Sequence, residues 1–136
     1  MNQQQGDLCV RVLSCIAWAD GELSEEELGS VVDLVDRLDY IDRSEIQDIL
    51  LNPTRFTFLN KIVELPRSVR VRLLHDSYVL ADYCGGVSEP ELEIIRAIAL
   101  SMVEPGKWDE AKASLEAWVA YEKVARKVWG WTHLAD

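Results

Sequence analysis

The stretch ADGELSEEEL, residues 19–28, returns in modified form as ADYCGGVSEPEL at residues 81–92. Each version follows an apolar run, turns at glycine, adds one aliphatic residue and continues with Ser-x-x-Glu. A serine followed three positions later by a glutamate is the capping-box signature of a helix start, because each side chain binds the backbone amide of the other residue. The repetition therefore predicts two related helical hairpins, at about residues 8–39 and 68–102, with acidic side chains at both turns.

The remaining segments also have helical patterns. Ser44-Glu45-Ile46-Gln47 is a further capping signal, which predicts a short helix through Leu50 or Leu51 that Pro53 stops. A second short apolar segment spans 53–65, and residues 107–129 predict the longest helix. No segment alternates between apolar and polar residues for long enough to predict a strand. We expect an all-α fold of about seven helices in a single domain spanning residues 1–136, with residues 1–7 as a frayed tail.

The charge of the chain restricts the classes of partner. Its formal net charge of −10 repels nucleic-acid phosphates, and its Lys and Arg residues are scattered, which argues against nucleic-acid binding. Acidic residues are concentrated between Asp20 and Asp48, so one surface should be strongly anionic. No apolar run approaches the roughly 18 residues that a membrane span requires, and we therefore expect no direct membrane span.

The cysteines indicate a reducing compartment. Cys9, Cys15 and Cys84 are odd in number and have no metal-finger spacing, which is typical of a cytoplasmic protein. The polar N-terminus lacks the basic residues and the cleavage site of a secretory signal, in agreement with that location. We interpret the thiols as small buried hydrophobic groups, with redox or oxyanion chemistry as the alternative.

The repeated turn resembles the TerB-like family of tellurite-resistance proteins. That family carries Ala-x-Ala-Asp-Gly-x-hydrophobic-Ser/Thr-x-x-Glu in a two-fold repeated form. The matching residues of the first unit are Ala17, Ala19, Asp20, Gly21, Leu23, Ser24 and Glu27, and those of the second are Ala81, Asp82, Gly86, Val87, Ser88 and Glu91. Tyr83 and Cys84 are extra when Ser88 is aligned with Ser24. The resemblance covers about residues 8–102 and implies a TerB-like bundle with an internal pseudo-two-fold repeat that acts in a stress response.

The resemblance also implies a divalent-metal site on the turn face. On this hypothesis Asp20, Glu27, Asp82 and Glu91 line a surface that binds Ca²⁺ or Mg²⁺, since carboxylates are the ligands these ions prefer. The same acidic face could instead attract a basic partner. The alternative is purely structural, because turn hydrogen bonds and capping boxes explain the acids without any ligand. An EF-hand is not expected, because the segment that begins at Asp20 lacks the twelve-residue calcium loop.

Two other features have competing interpretations. His75 shares a helix face with Asp82 seven residues later and could join a ligand set, although a packing role is the simpler prediction. Trp129 and Trp131 flank Gly130, and exposed aromatic residues are typical anchors for a protein partner or a second copy of the chain.

The predicted function is therefore a non-catalytic binding or regulatory module. The sequence has no nucleophile elbow, no phosphate-binding glycine loop and no evident catalytic triad, so an enzyme is not expected. A protein-interaction scaffold with purely structural acids is the second alternative. An uncharacterised hydrolase with paired carboxylates is the third.

Overall fold

A computed structural model describes residues 1–52 and 59–130, with the side chain of Leu59 left out. Over these residues the prediction of an all-α fold is confirmed, and the described ranges contain no strand. The helices are α1 (Gln3–Trp18), α2 (Glu25–Arg37), α3 (Arg43–Leu51), α4 (Leu59–Ile62), α5 (Arg67–Tyr83), α6 (Glu89–Leu100) and α7 (Trp108–Trp129). A 3-10 turn, Pro105–Lys107, leads into α7.

Helix α5 lies at the centre of the bundle, where it contacts α1, α2, α6 and α7. Its core side chains Leu73 and Leu80 are fully buried, and so are Leu13 and Ile16 of α1 and Ile95 of α6. Burying a side chain of this size stabilises the fold by about 1.5–3 kcal/mol. The apolar stripes of the two predicted hairpins, α1–α2 and α5–α6, therefore form one common core.

The first residues of the chain are ordered, so the expectation of a frayed tail at residues 1–7 is wrong. Asn2 caps α1: its Oδ1 accepts the Gln5 amide at 2.8 Å, and Gln5 Oε1 accepts the Asn2 amide at 3.1 Å. Gly6, in the next turn, is buried against the backbone of Tyr40. A local cap and a tertiary contact thus extend the helix beyond its apolar stripe.

This close contact predicts opposite effects for two glycine-to-alanine changes. A Cβ at Gly6 would lie 2.5 Å from the Tyr40 carbonyl oxygen, whereas a Cβ at Gly29 in α2 would meet nothing within 4 Å. We expect Gly6→Ala to lower the free energy of unfolding by about 1–3 kcal/mol through overpacking. Gly29→Ala should raise it by about 0.5–1 kcal/mol through helix propensity. Urea denaturation of both variants checks this, and equal effects would contradict the described packing of α1.

The predicted cap of the third helix is displaced. Helix α3 begins at Arg43 with Asp42 as its N-cap, so the expectation that Ser44 caps it is wrong. Arg43, the first residue of α3, pairs with α2 at 2.6 Å from Asp33 and 3.3 Å from Asp36, and Asp42 makes no side-chain capping bond. The predicted end at Leu51 is confirmed. Residues 53–58 of the next predicted segment lie outside the described residues.

Among residues 1–52 and 59–130, no helix is both long enough and apolar enough to cross a membrane.

Candidate functional site

The first predicted turn has the capping geometry that its sequence indicates. Gly21 has a φ of 118°, a conformation that favours glycine and turns the chain after α1. Ser24 Oγ accepts the Glu27 amide at 3.1 Å, and Glu27 Oε1 accepts the Ser24 amide at 3.2 Å. The predicted capping box at the start of α2 is therefore confirmed.

The second turn repeats this arrangement. Gly85 and Gly86 have φ values of 103° and 105°, and Ser88 then caps α6. Ser88 Oγ accepts the Glu91 amide at 3.3 Å, and Glu91 Oε1 accepts the Ser88 amide at 2.8 Å. Both glutamates of the predicted metal set thus each have an oxygen committed to a backbone amide.

A side-chain hydrogen bond joins the two turns. Ser88 Oγ donates to Asp20 Oδ1 at 2.5 Å, across 68 residues of sequence. The first turns of α2 and α6 carry further acids, so carboxylates from both hairpins lie on one surface. We call this surface the acidic corner, and define it by its exposed members Asp20, Glu22, Glu25, Glu26, Glu27 and Glu89.

Two groups beside the acidic corner have raised pKa values: Glu91, which is buried, and Cys84, which is exposed, so the expectation that every thiol is buried is wrong for Cys84. Burial raises the pKa of Glu91, against the hydrogen bonds from Ser88, and the charge of Asp20 raises it further. Desolvation of the sulfur raises the pKa of Cys84 to about 11, and the carboxylates of Glu91, Glu27 and Asp20 add to this increase. The Cys84 thiol therefore stays neutral at physiological pH, which disfavours it as a nucleophile or metal ligand.

The fourth predicted ligand lies apart from the other three. Asp82 Oδ2 forms an ion pair with Lys123 Nζ of α7. It lines a pocket of about 340 Å³ between α2, α5 and α7, whereas Glu27 and Cys84 line a separate pocket of about 430 Å³. The structure therefore brings Asp20, Glu27 and Glu91 together and turns Asp82 toward α7. Within the described ranges, no group of three or more His, Cys, Asp or Glu side chains is arranged to hold a metal ion.

A buried polar network beneath Asp82 was not predicted from the sequence. His75 of α5 is 3% exposed, and its ring nitrogens face two carboxylates: Nδ1 lies 2.9 Å from Asp76 Oδ1, and Nε2 contacts Glu122 Oε1 of α7. The His75 ring also packs on Trp118, with centroids 4.2 Å apart. His75 is therefore the central member of a network that ties α5 to α7.

The network continues to the segment after α2. Tyr40 Oη donates to Asp76 Oδ2 at 2.7 Å, and Arg72 Nε lies 3.6 Å from the same oxygen. The Arg72 guanidinium covers the Tyr40 ring at 4.3 Å and donates to the Leu38 carbonyl. His75 therefore packs in the core as predicted, but it also makes contacts with two carboxylates that the sequence did not predict. The adjacent charged pair His75-Asp76 between core leucines is the signal that could have indicated them.

The electrostatics of the network favour a protonated imidazole. Burial by itself lowers the pKa of His75, but the hydrogen bonds and charges of Asp76 and Glu122 outweigh it and raise the pKa above 6.5. Burial and the charge of Asp76 raise the pKa of Tyr40, which keeps its hydroxyl as a donor. Burial raises the pKa of the nearby Cys9 thiol to about 12, so this thiol is a neutral core group.

The aromatic residues predicted as partner anchors lie at the end of α7. Trp129 is 80% exposed, which leaves its indole accessible for a contact. Trp131 lies outside the described residues. Trp118, one of the tryptophans of the same helix, is 42% exposed.

No protein-family model, no curated protein and no solved structure matches this chain.

Proposed function

We propose that this chain is a non-catalytic, cytoplasmic module of the TerB-like kind, acting in a stress response, whose acidic corner binds a positively charged segment of a partner protein. The hydrogen bond from Ser88 to Asp20 carries the proposal, because it joins the acids of two hairpins into one surface. A surface of exposed, negatively charged carboxylates attracts a cationic partner and repels anionic ones.

The individual contacts favour a distributed site over a compact ion site. Glu27 and Glu91 each give one oxygen to a cap, and Asp82 is neutralised by Lys123. Glu22, Glu25 and Glu26 remain exposed. A lysine-rich or arginine-rich segment can pair with such dispersed carboxylates, whereas Ca²⁺ requires six to eight oxygens around one point.

Binding of Ca²⁺ or Mg²⁺ is the second candidate. It is favoured by the proximity of Asp20, Glu27 and Glu91, whose negative charges all act on the Cys84 thiol. Calorimetric titration with each ion should give heat that is lost in Asp20→Asn if this candidate is correct. Absence of heat would remove it and leave the basic partner as the only ligand proposed.

A catalytic role is not part of the proposal. His75 and Asp76 are buried, and Glu122, at the wall of the pocket between α2, α5 and α7, is 4% exposed and has an oxygen engaged with His75. This burial argues for a structural role of the network and against the hydrolase alternative.

The proposal is tested with a fluorescent lysine-rich peptide as the probe. We expect binding that weakens with added salt, and that weakens about tenfold in Glu25→Gln/Glu26→Gln, since exposed ion pairs contribute about 0.2–1 kcal/mol each. These two residues belong to the acidic corner but make neither capping contact.

The matched control is Glu64→Gln/Glu104→Gln. It removes the same charge from exposed positions outside the acidic corner. Fluorescence anisotropy should show nearly unchanged peptide affinity for this control. Equal weakening by both double variants would mean that only the net charge matters, and would contradict a specific acidic corner.

A further inference from the structure

The outward surface of α7 carries an exposed apolar stripe. Tyr121, Val124 and Val128 are 68%, 58% and 59% exposed. At about 100° per residue, these and three exposed alanines fall within an arc of about 100°, on the side of the helix away from the buried Leu115 and Val119. We call this surface the α7 stripe, and it consists of Ala113, Ala117, Ala120, Tyr121, Val124 and Val128.

When α7 of a second copy runs antiparallel, the large side chains of one α7 stripe lie opposite the small side chains of the other. Its small side chains all lie in the N-terminal half, and its large side chains all lie in the C-terminal half. We infer that the α7 stripe is a homodimer interface in which two α7 helices pack antiparallel about a two-fold axis beside Ala120 and Tyr121. In that register Ala117 faces Val124 of the second copy, and Ala113 faces Val128 of the second copy.

The charges beside the α7 stripe support the same orientation. Asp109, Glu116, Lys123 and Lys127 lie within about 40° of each other on one flank, in the order acid, acid, base, base. In an antiparallel pair this flank faces the same flank of the second copy, so Glu116 lies opposite bases. It is level with the midpoint between Lys123 and Lys127 of the second copy, and because Lys123 pairs with Asp82 of its own chain, Lys127 is the base assigned to Glu116. A parallel pair would instead set this flank against the uncharged flank that carries Ser114 and Trp118.

The overall charge distribution leaves α7 as a face on which two copies can approach. The chain carries a net charge of −10, which opposes self-association through the acidic region at residues 20–48. Helix α7 has four basic residues, Lys112, Lys123, Arg126 and Lys127, against four acidic ones, Asp109, Glu110, Glu116 and Glu122. Its net charge is therefore zero, so α7 adds no net long-range repulsion of its own.

The length of the α7 stripe sets the expected strength of the dimer. The 16 residues from Ala113 to Val128 give a contact about 23 Å long, at 1.5 Å per residue. One helix pair of this length buries less surface than the 1,200–2,000 Å² of a standard interface, so we expect a dissociation constant in the micromolar range. The dimer should form reversibly as the protein concentration rises.

Sedimentation velocity over a range of concentrations tests the inference. We expect the wild-type protein to change from monomer to dimer, and Val124→Arg to remain monomeric throughout. The matched control is Val63→Arg, because Val63 is 59% exposed but lies outside α7. This control should dimerise like the wild type. A wild-type protein that stays monomeric, or equal loss of dimer in both variants, would overturn the inference.

A charge exchange tests the antiparallel orientation separately. Glu116→Lys and Lys127→Glu should each weaken the dimer, because each places like charges opposite one another. The double variant should restore the wild-type dissociation constant. A double variant as weak as the sum of the single changes would contradict the antiparallel register. Circular dichroism of each variant verifies that the exposed substitutions leave the helices folded.

Discussion

Replacement of Glu122 by alanine is expected to lower the free energy of unfolding by about 3 kcal/mol. The carboxylate is buried, and it binds the imidazole of His75 across the contact between α5 and α7. Removal of the carboxylate takes one hydrogen-bond partner from His75 Nε2 and leaves empty space in the core. Loss of one member of a buried ionic pair typically costs about 3–5 kcal/mol. Urea denaturation followed by circular dichroism measures the change.

Two further variants distinguish the effect of losing the buried contact from the effect of losing any glutamate. Glu93→Ala removes an exposed glutamate from the middle of α6 and should change stability by less than about 0.5 kcal/mol. Glu122→Gln keeps a hydrogen-bonding oxygen but loses the charge, so its effect should be intermediate. If Glu122→Ala were as stable as Glu93→Ala, the buried contact with His75 would not contribute to the fold.

The second large effect is a dependence of stability on pH. The pKa of His75 is higher in the folded chain than its ordinary value of 6.5, because Asp76 and Glu122 outweigh burial. The stability contributed by the protonated ring is therefore fully present below pH 6.5, and is lost as the pH rises through the folded pKa. For one proton, the free energy of unfolding should fall by at most about 1.4 kcal/mol per pH unit over this interval.

Thermal or urea unfolding at a series of pH values from 6 upward checks whether the free energy of unfolding falls as the pH rises. The wild-type protein should be less stable at the upper end, and the slope should be smaller in Glu122→Gln, which removes one of the two charges that raise the pKa of His75. Arg72 and Tyr40 also contact Asp76, and both remain in this variant. A slope of the opposite sign, or one that Glu122→Gln leaves unchanged, would show that His75 does not titrate as described.

The features predicted well from the sequence are those that depend on neighbouring residues. The capping boxes of Ser24 and Ser88 link residues three apart, and glycine turns precede both. The cap of α3 was misplaced because Asp42 and Ser44 are both good cap residues two positions apart, and the local sequence does not distinguish them. Local patterns therefore predicted the helices but not every boundary.

The contacts that define the candidate sites were inaccessible to the same reasoning because they join distant residues. Asp20 meets Ser88 across 68 positions, and His75 meets Glu122 across 47. The sequence indicated that both turns are acidic, but nothing in it showed that Asp82 would turn to Lys123 while Asp20 remained with the second hairpin. The insertion of Tyr83 and Cys84 sets the second turn apart in the sequence, but the partner of Asp82 is determined by the packing of α7 against α5.

The proposed function requires that the two hairpins present one acidic corner. Backbone amide chemical shifts, recorded while an isotopically labelled sample is titrated with the lysine-rich peptide, test it most directly. The largest shifts should occur together at residues 20–27 and at residues 87–91, with one common dissociation constant. Shifts confined to one turn, different constants for the two turns, or shifts centred elsewhere on the molecule would contradict it.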